Sequence, residues 1–279
     1  LAIEECIMKV VFTTNSDYNS YSSHNLLKVA INSLKVNTTL EPVVIWDGYQ
    51  DRTTGWLEDN DIPIIYHELS FIKQIKHFDF NKIQCKNKYI EDMYKHYPEY
   101  YNKTFIITES MRMDIPDLFP DEEYVLYCDC DVMFLKDPVF PLVKTPLGVA
   151  TREDDFFNNG VMLFNIHEYK KYHEDFKKFY IESDYTFAIG DTTTQGAYNT
   201  FFKGLVTDIG LENNWHSFFG VNRDASIIHF CGPKPNQLKK LIDNNTTYDI
   251  LFKSCLNDHS KHYVELWYMY QDELLKGTK

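Results

Sequence analysis

The sequence predicts an α/β protein with a central, mostly parallel sheet and a helical C-terminal tail. Three observations predict it. Short apolar runs alternate with stretches whose apolar residues recur at helical spacing, the pattern of a sheet layered with helices. The apolar run "EYVLYC" passes straight into Asp129-Cys130-Asp131, and open α/β sheets carry their ligand groups at the C-terminal ends of strands. With 44% hydrophobic residues, 279 residues suffice to bury one large core.

Met8 opens "MKVVFTT", a β-branched strand, and is read as a native start, with residues 1–7 a remnant outside the fold. "SHNLLKVAINSLKVN" follows as a helix, with Leu26, Leu27, Ala30, Ile31 and Leu34 on one face. "PVVIW" and "IPIIYH" are strands on either side of a helix at "DRTTGWLEDN". These elements make a βαβαβ nucleotide-binding half. Residues 71–101, polar and aromatic, read as a loop plus a helix covering the site. "EYVLYCD", "LGVAT" and "GVMLFNI" are three more strands, and "HEYKKYHEDFKKFYIES" is one amphipathic helix. "ASIIHF" is a late strand, and the tail from Leu238 to Lys279 is helical with a break near Asn257. Linkers, repeats and low-complexity tracts are missing, so residues 8–279 read as a single domain.

The formal charge of -13 argues against duplex nucleic acid and against anionic membrane surfaces, which the average field would repel. A diphosphate remains admissible where a metal ion or a helix N-terminus neutralises it locally. The six cysteines, Cys6, Cys85, Cys128, Cys130, Cys231 and Cys255, form no CxxC pair and no small disulfide scaffold. They read as reduced thiols in a reducing compartment. The sequence shows no membrane span and no signal-peptide pattern, so a cytoplasmic location is expected. Most of the 20 Tyr and 20 Phe belong to core and surface packing, with a few left to serve as platforms for rings.

Asp129 and Asp131 stand at i and i+2 of an extended chain, so both carboxylates face one side. Two such carboxylates suit a hard divalent ion, Mn²⁺ or Mg²⁺, shared with phosphate oxygens. The bland alternative is a solvated loop with two acids; the apolar strand ahead of it favours the metal. In "IIHFCGPKPN", His229 at a strand end fits a third ligand, although a lone His is more often a satisfied core residue. Gly232 lets backbone approach a phosphate, and Lys234 supplies a point charge for it. Cys255, His259 and His262 have helical spacing but offer only three ligands, so chance spacing is preferred to zinc. The aromatic tail "HYVELWYMYQDELL" is acidic, which favours packing on the domain or a partner over a membrane.

A series of segments, in order over nearly the whole chain, resembles the family 8 retaining glycosyltransferases of the GT-A fold, both glycogenin-like and like the bacterial lipopolysaccharide galactosyltransferases. "FTTNSDY" resembles the opening nucleotide-binding segment, which implies that Thr14 and Asn15 contact a base and Tyr18 stacks on uracil. "SMRM" resembles the segment whose Arg reaches the donor, here Arg112. "YCDCD" matches the metal motif. "FFNNGVMLFN" is similar to the sugar-facing segment, with Asn158 and Gly160 by the donor sugar. "GDTTTQGAYNTFF" resembles the stretch around the catalytic acids, and "HFCGPKP" the His-Gly-Lys phosphate loop.

The resemblance implies a UDP-sugar donor, UDP-glucose or UDP-galactose before others, a glycan or other hydroxyl acceptor, and retention of anomeric configuration. It places Asp191 and Gln195 nearest the anomeric carbon. Asp154 and Asp155 fit either sugar hydroxyls or an acidic surface turn. Two departures stand out: Thr194 occupies the position before Gln195 where the family carries Asp, and the loop from Gly232 to Lys234 is one residue shorter. Thr194 is the feature that keeps alive a catalytically degenerate UDP-sugar-binding module. A nucleotidyltransferase would need a Gly-rich loop after the first strand, and "TTNSDYNSYSS" has none.

Overall fold

The computed structural model describes residues 7–16, 21–77, 103–152, 156–183, 194–243 and 257–277. Its strands are β1 (Lys9–Asn15), β2 (Glu41–Asp47), β3 (Ile64–Tyr66), β4 (Tyr124–Cys128), β5 (Val132–Phe134), β6 (Leu147–Thr151), β7 (Phe157–Asn165), β8 (Val206–Asp208), β9 (Trp215–His216) and β10 (Ile227–His229). Seven of them form one sheet in the order β3-β2-β1-β4-β7-β6-β8, and three form a second, β5-β10-β9.

The βαβαβ half is present as the sequence implies. β3, β2, β1 and β4 pair in parallel, with the helices Tyr21–Asn37 and Arg52–Asp59 as crossovers. β7 then runs antiparallel to both β4 and β6, so the sheet is mixed beyond its centre. That reversal sets the start of β7 beside the end of β4, where Cys128 faces Val161.

Strand side chains alternate between faces, and the core divides accordingly. Val11, Val43, Val125, Tyr127 and Met162 lie in one apolar cluster with Ile106, Phe176 and Tyr198. Their strand neighbours Val10, Phe12, Val44, Leu126 and Val161 lie in another with Leu27, Ile31, Leu34 and Leu57. Both faces of the central strands are therefore covered by helices, which is why these strands read as unbroken apolar runs.

Two expectations need correction. The stretch read as one amphipathic helix is two, Ile166–Lys170 and His173–Glu182. Tight turns at Lys171 and Tyr172, whose N–H groups donate to the Glu168 and Tyr169 carbonyls, redirect the chain so that Tyr169 and Phe176 enter the same core. The short strands β5, β8 and β9 were also absent from the sequence reading; at two or three residues they carry no usable periodicity.

The tail forms the helices Pro235–Ile242 and Asp258–Gly277. Asn257 caps the start of the second: its Oδ1 accepts from the His259 and Ser260 N–H groups at 3.0 and 2.8 Å, and residues 244–256, which lead up to the break expected near it, lie outside the described residues. Tyr263, Val264 and Trp267 pack on Leu26 and Val29, and Asn37 donates to the Tyr270 hydroxyl at 2.6 Å. The aromatic tail thus covers the first helix. Among the described residues, no helix is long and apolar enough to cross a membrane.

Candidate metal and donor site

The site forms where the ends of β1, β4 and β10 meet the start of β7. Asp129-Cys130-Asp131 is the link between β4 and β5, and its backbone is fixed on both sides. The Asp129 N–H donates to the Gly160 carbonyl at 2.8 Å, and the Phe230 N–H donates to the Asp131 carbonyl at 2.9 Å. The second of these continues the β10–β5 register, in which His229 pairs with Val132, and brings the His229 ring to Asp131. Its Nε2 lies 3.3 Å from Asp131 Oδ1 and 3.9 Å from Asp129 Oδ2.

The donor set fits a divalent cation. One ligand atom from each of Asp129, Asp131 and His229 lies within 4.8 Å of the others. Ligands on one small hard ion, each at roughly 2.1 Å, stand roughly 3–4 Å apart. The imidazole is oriented from behind: His229 Nδ1 meets Asn214 Oδ1 at 2.9 Å, while Asn214 Nδ2 donates to the Asn158 carbonyl and to its Oδ1, both at 3.3 Å. Nδ1 therefore carries a hydrogen, and Nε2 is aimed between two carboxylates. A nitrogen in that position needs a positive centre, a proton or a metal ion, between it and the oxygens.

Gly160 explains how close these groups come. A Cβ there would sit 2.7 Å from Asp129 Oδ2 and closer still to the His229 ring, so the strand must be bare at that point. Gly160 thus stands directly against the Asp129 and His229 side chains.

Each carboxylate is held by its own cation. Lys234 Nζ pairs with Asp131 Oδ2. Burial alone would raise the Asp131 carboxyl, but Lys234 and His229 hold it well below the usual carboxylate range. Asp129 Oδ1 accepts from Arg112 Nη2 at 3.1 Å and from the Tyr127 hydroxyl at 2.6 Å. Burial pushes the Tyr127 phenol well above its ordinary value, so it stays a donor. Arg112 is 1% exposed, stacks over the Tyr127 ring at 4.3 Å, and donates to the Asn159 carbonyl at 2.8 Å.

The remaining residues of the sequence reading fall around this centre. Asn158 Nδ2 donates to Gln195 Oε1 at 2.9 Å, which ties Gln195 through Asn158 and Asn214 to His229. The Asn159 amide is satisfied with its oxygen turned to the Gln195 N–H at 3.1 Å and Arg112 Nη1 at 3.2 Å. Thr14 and Asn15 are buried at the end of β1. Asn15 donates to Thr108 Oγ1 at 2.5 Å, and its Oδ1 meets no partner among the described residues. The Cys130 thiol donates to the Thr13 carbonyl at 3.5 Å, joining β1 to the Asp129–Asp131 link. Gly232 has φ +89, the left-handed conformation that favours glycine, and turns the chain from β10 so that Lys234 reaches back to Asp131. Tyr18, Asp154, Asp155 and Asp191 lie outside the described residues, as does Cys255.

Three contributors were missed by the sequence reading. Tyr127 was findable, since it stands two residues before Asp129 and shares its face of the strand. Glu109 pairs with Arg112 at i,i+3 on a helical run, another readable signal. Asn214 had none, because the strand that follows it has two residues.

A second group of possible ligands, Asp114, Asp117 and His173, is a structural ion-pair cluster. Lys177 Nζ lies 2.9 Å from Asp114 Oδ1 and 3.2 Å from Asp117 Oδ2, filling the place a metal would take. No metal-binding group includes His259 or His262 among the described residues.

Comparison with known proteins agrees with this geometry. The profile described as Glycosyl transferase family 8 matches residues 9–235, well over half of the chain. No curated protein matches the chain significantly. Among solved structures, a glutamine-to-glutamate active-site mutant of LgtC is 17% identical over 89% of this chain and 100% of its own, with a TM-score of 0.59. The galactosyltransferase LgtC in complex with donor and acceptor sugar analogs gives the same identity and coverage, with a TM-score of 0.58. The apo glycosyltransferase GlyE of Streptococcus pneumoniae is 16% identical over 98% of this chain and 64% of its own, with a TM-score of 0.57. At these identities the likeness concerns the fold, which resembles the GT-A fold of LgtC.

Proposed function

This chain belongs to glycosyl transferase family 8, and we propose that it moves a hexosyl group from a UDP-sugar to a glycan or other hydroxyl acceptor, retaining anomeric configuration. That it is a glycosyltransferase follows from the family; the donor, the metal and the stereochemistry are our reading. The observation that carries the reading is the convergence of Asp129, Asp131 and His229 on one point at the C-terminal end of β4.

Asp129, Asp131 and His229 would hold Mn²⁺, or Mg²⁺ in its place. Such an ion, when bound, supplies charge neutralisation for a departing diphosphate. The chain's own groups do the rest. Thr14, Asn15 and Tyr18 hold the base, while Gly232 and Lys234 hold the diphosphate. As the bond at the anomeric carbon breaks, its electron pair goes to the diphosphate oxygen, and the charge growing there is met by Lys234 and, from deeper in the site, by Arg112. No carboxylic acid is needed to protonate this leaving group. Asn158, Gly160, Asp191 and Gln195 line the sugar side. The LgtC neighbour described as an active-site glutamine mutant supports a place for Gln195 there.

Galactose is the first sugar to test, because a galactosyltransferase stands among the structural neighbours; glucose is the second. We read residues 8–279 as one domain, since the tail helix packs on the first helix. Cys128, Cys130 and Cys231 are free thiols, which supports a reducing, cytoplasmic setting.

The test is a panel of nucleotide sugars with Mn²⁺, scored for thermal stabilisation and for transfer or slow donor hydrolysis. UDP-galactose or UDP-glucose should stabilise and turn over, and chelator should abolish the turnover. Stabilisation by no UDP-sugar, or a rate indifferent to chelator, refutes the proposal.

A further inference from the structure

Glu109 is not among the residues that the sequence or the family resemblance assigns to the site, yet its carboxylate lies in the wall behind it. It sits at the end of the helix Lys103–Ser110, the same helix whose Thr108 holds Asn15. Its Oε1 lies 3.8 Å from Arg112 Nη2, and the Arg112 Nε donates to the Glu109 carbonyl at 2.8 Å. Its Oε2 lies 3.3 Å from the hydroxyl of Thr194, which is fully buried and opens the helix that carries Gln195. The same Arg112 Nη2 donates to Asp129 Oδ1 at 3.1 Å. One buried guanidinium is thus flanked by two carboxylates, of which only Asp129 has an oxygen facing His229.

We propose that Glu109 is a positioning residue: it divides the charge of Arg112 with Asp129 and so keeps Asp129 able to bind a divalent cation. An Arg112 with no second carboxylate would place its whole charge on Asp129, competing directly with a metal for that oxygen. Glu109 also adds a negative charge on the Arg112 side of the site, which favours a dication there. The hydroxyl of Thr194, 3.3 Å from Glu109 Oε2, marks a place from which a carboxylate on another segment would reach the same region.

The inference rests on the metal reading above, and its test separates the two. Mn²⁺ alone is titrated into wild type, Glu109→Gln and the double variant Glu109→Gln/Thr194→Asp, with affinity read by electron paramagnetic resonance and folding by thermal melt. Glu109→Gln is near-isosteric. Its affinity for Mn²⁺ should fall about 10-fold or more, the usual effect of removing a group that supports a ligand. The double variant returns a carboxylate to the pocket and should recover most of that affinity. A role in stability alone would lower the melting temperature and leave the affinity of the folded protein unchanged. Wild-type Mn²⁺ affinity in Glu109→Gln overturns the proposal, and so does a double variant as weak as the single. The double variant keeps the charge count, so it decides the matter even if the single fails to fold. Wild type that binds no Mn²⁺ overturns the metal reading itself.

Discussion

Gly160→Ala isolates the steric side of the site. Gly160 is outside the left-handed region, so alanine meets no backbone penalty there and the effect comes from the added methyl alone. The methyl would stand 2.7 Å from Asp129 Oδ2 and closer to His229, about 1 Å inside the ordinary contact separation of about 3.5–4.0 Å. β7 cannot retreat. The Gly160 N–H is held by Asn158 Oδ1 at 2.9 Å, its carbonyl accepts from Asp129 N at 2.8 Å, and Val161 is paired with Cys128. Relief must come from the two ligand side chains. Overpacking of this kind costs about 1–3 kcal/mol of stability. Displacing two ligands should weaken Mn²⁺ by about 10–100-fold, or about 1.4–2.7 kcal/mol. Mn²⁺ titration with a parallel melt measures both. A folded Gly160→Ala protein with wild-type Mn²⁺ affinity refutes the close approach of β7 to His229 as the reason for glycine.

Asp129→Ala and Asp131→Ala should each abolish transfer, since each would remove one of the proposed metal ligands; transfer assays on protein shown folded by a parallel melt check this, and full activity in either variant removes the metal assignment. Asp114 is buried and accepts from His67, from the backbone and hydroxyl of Ser70, and from Lys177, so Asp114→Asn should cost about 3–5 kcal/mol in denaturant melts. Burial alone would raise the Asp114 carboxyl, yet those bonds hold it well below the usual range. Its stabilisation is therefore complete above the unfolded value of about 4 and is lost as pH falls through the folded one. Melts from pH 7 to 3 should show a steeper loss in wild type than in Asp114→Asn, and parallel curves would disprove the pairing. Tyr18→Ala should weaken UDP binding by about 1–3 kcal/mol if a base stacks on the ring; an unchanged calorimetric Kd places the base elsewhere.

What was legible in the sequence follows from how local each signal is. β1, β2 and β4 are unbroken apolar runs because they are covered on both faces, and the Asp-x-Asp announces itself because it interrupts one of them. His229 was legible for the same reason at the end of β10. The support behind these groups was not. Asn214 meets His229 only because the strand beginning at Trp215 pairs in parallel with β10, a contact with no periodic trace. Thr194 meets Glu109 across 85 residues of chain, so nothing near either position announces the other. The short strands and the turn at Lys171 fell below the length at which a period can be read.

The two carboxylates of the link are served by different parts of the chain, and this has a mechanical consequence. Asp129 is fixed from the segment ending at Arg112 and from its own strand through Tyr127. Asp131 is fixed from the far end, by His229 and Lys234, on either side of the turn at Gly232. The relative placement of these two candidate ligands, two residues apart, therefore depends on the main sheet at one and on the small sheet at the other. The backbone bond from Asp129 to Gly160 extends the β4–β7 pairing of the main sheet, that from Phe230 to Asp131 extends the β10–β5 pairing of the small one, and the short link between Asp129 and Asp131 joins the two. A change that shifts β10 against β5 should separate His229 from both Asp131 and Asp129 while leaving the core of the main sheet intact. Small displacements there should therefore disturb the candidate ligands before they disturb the core.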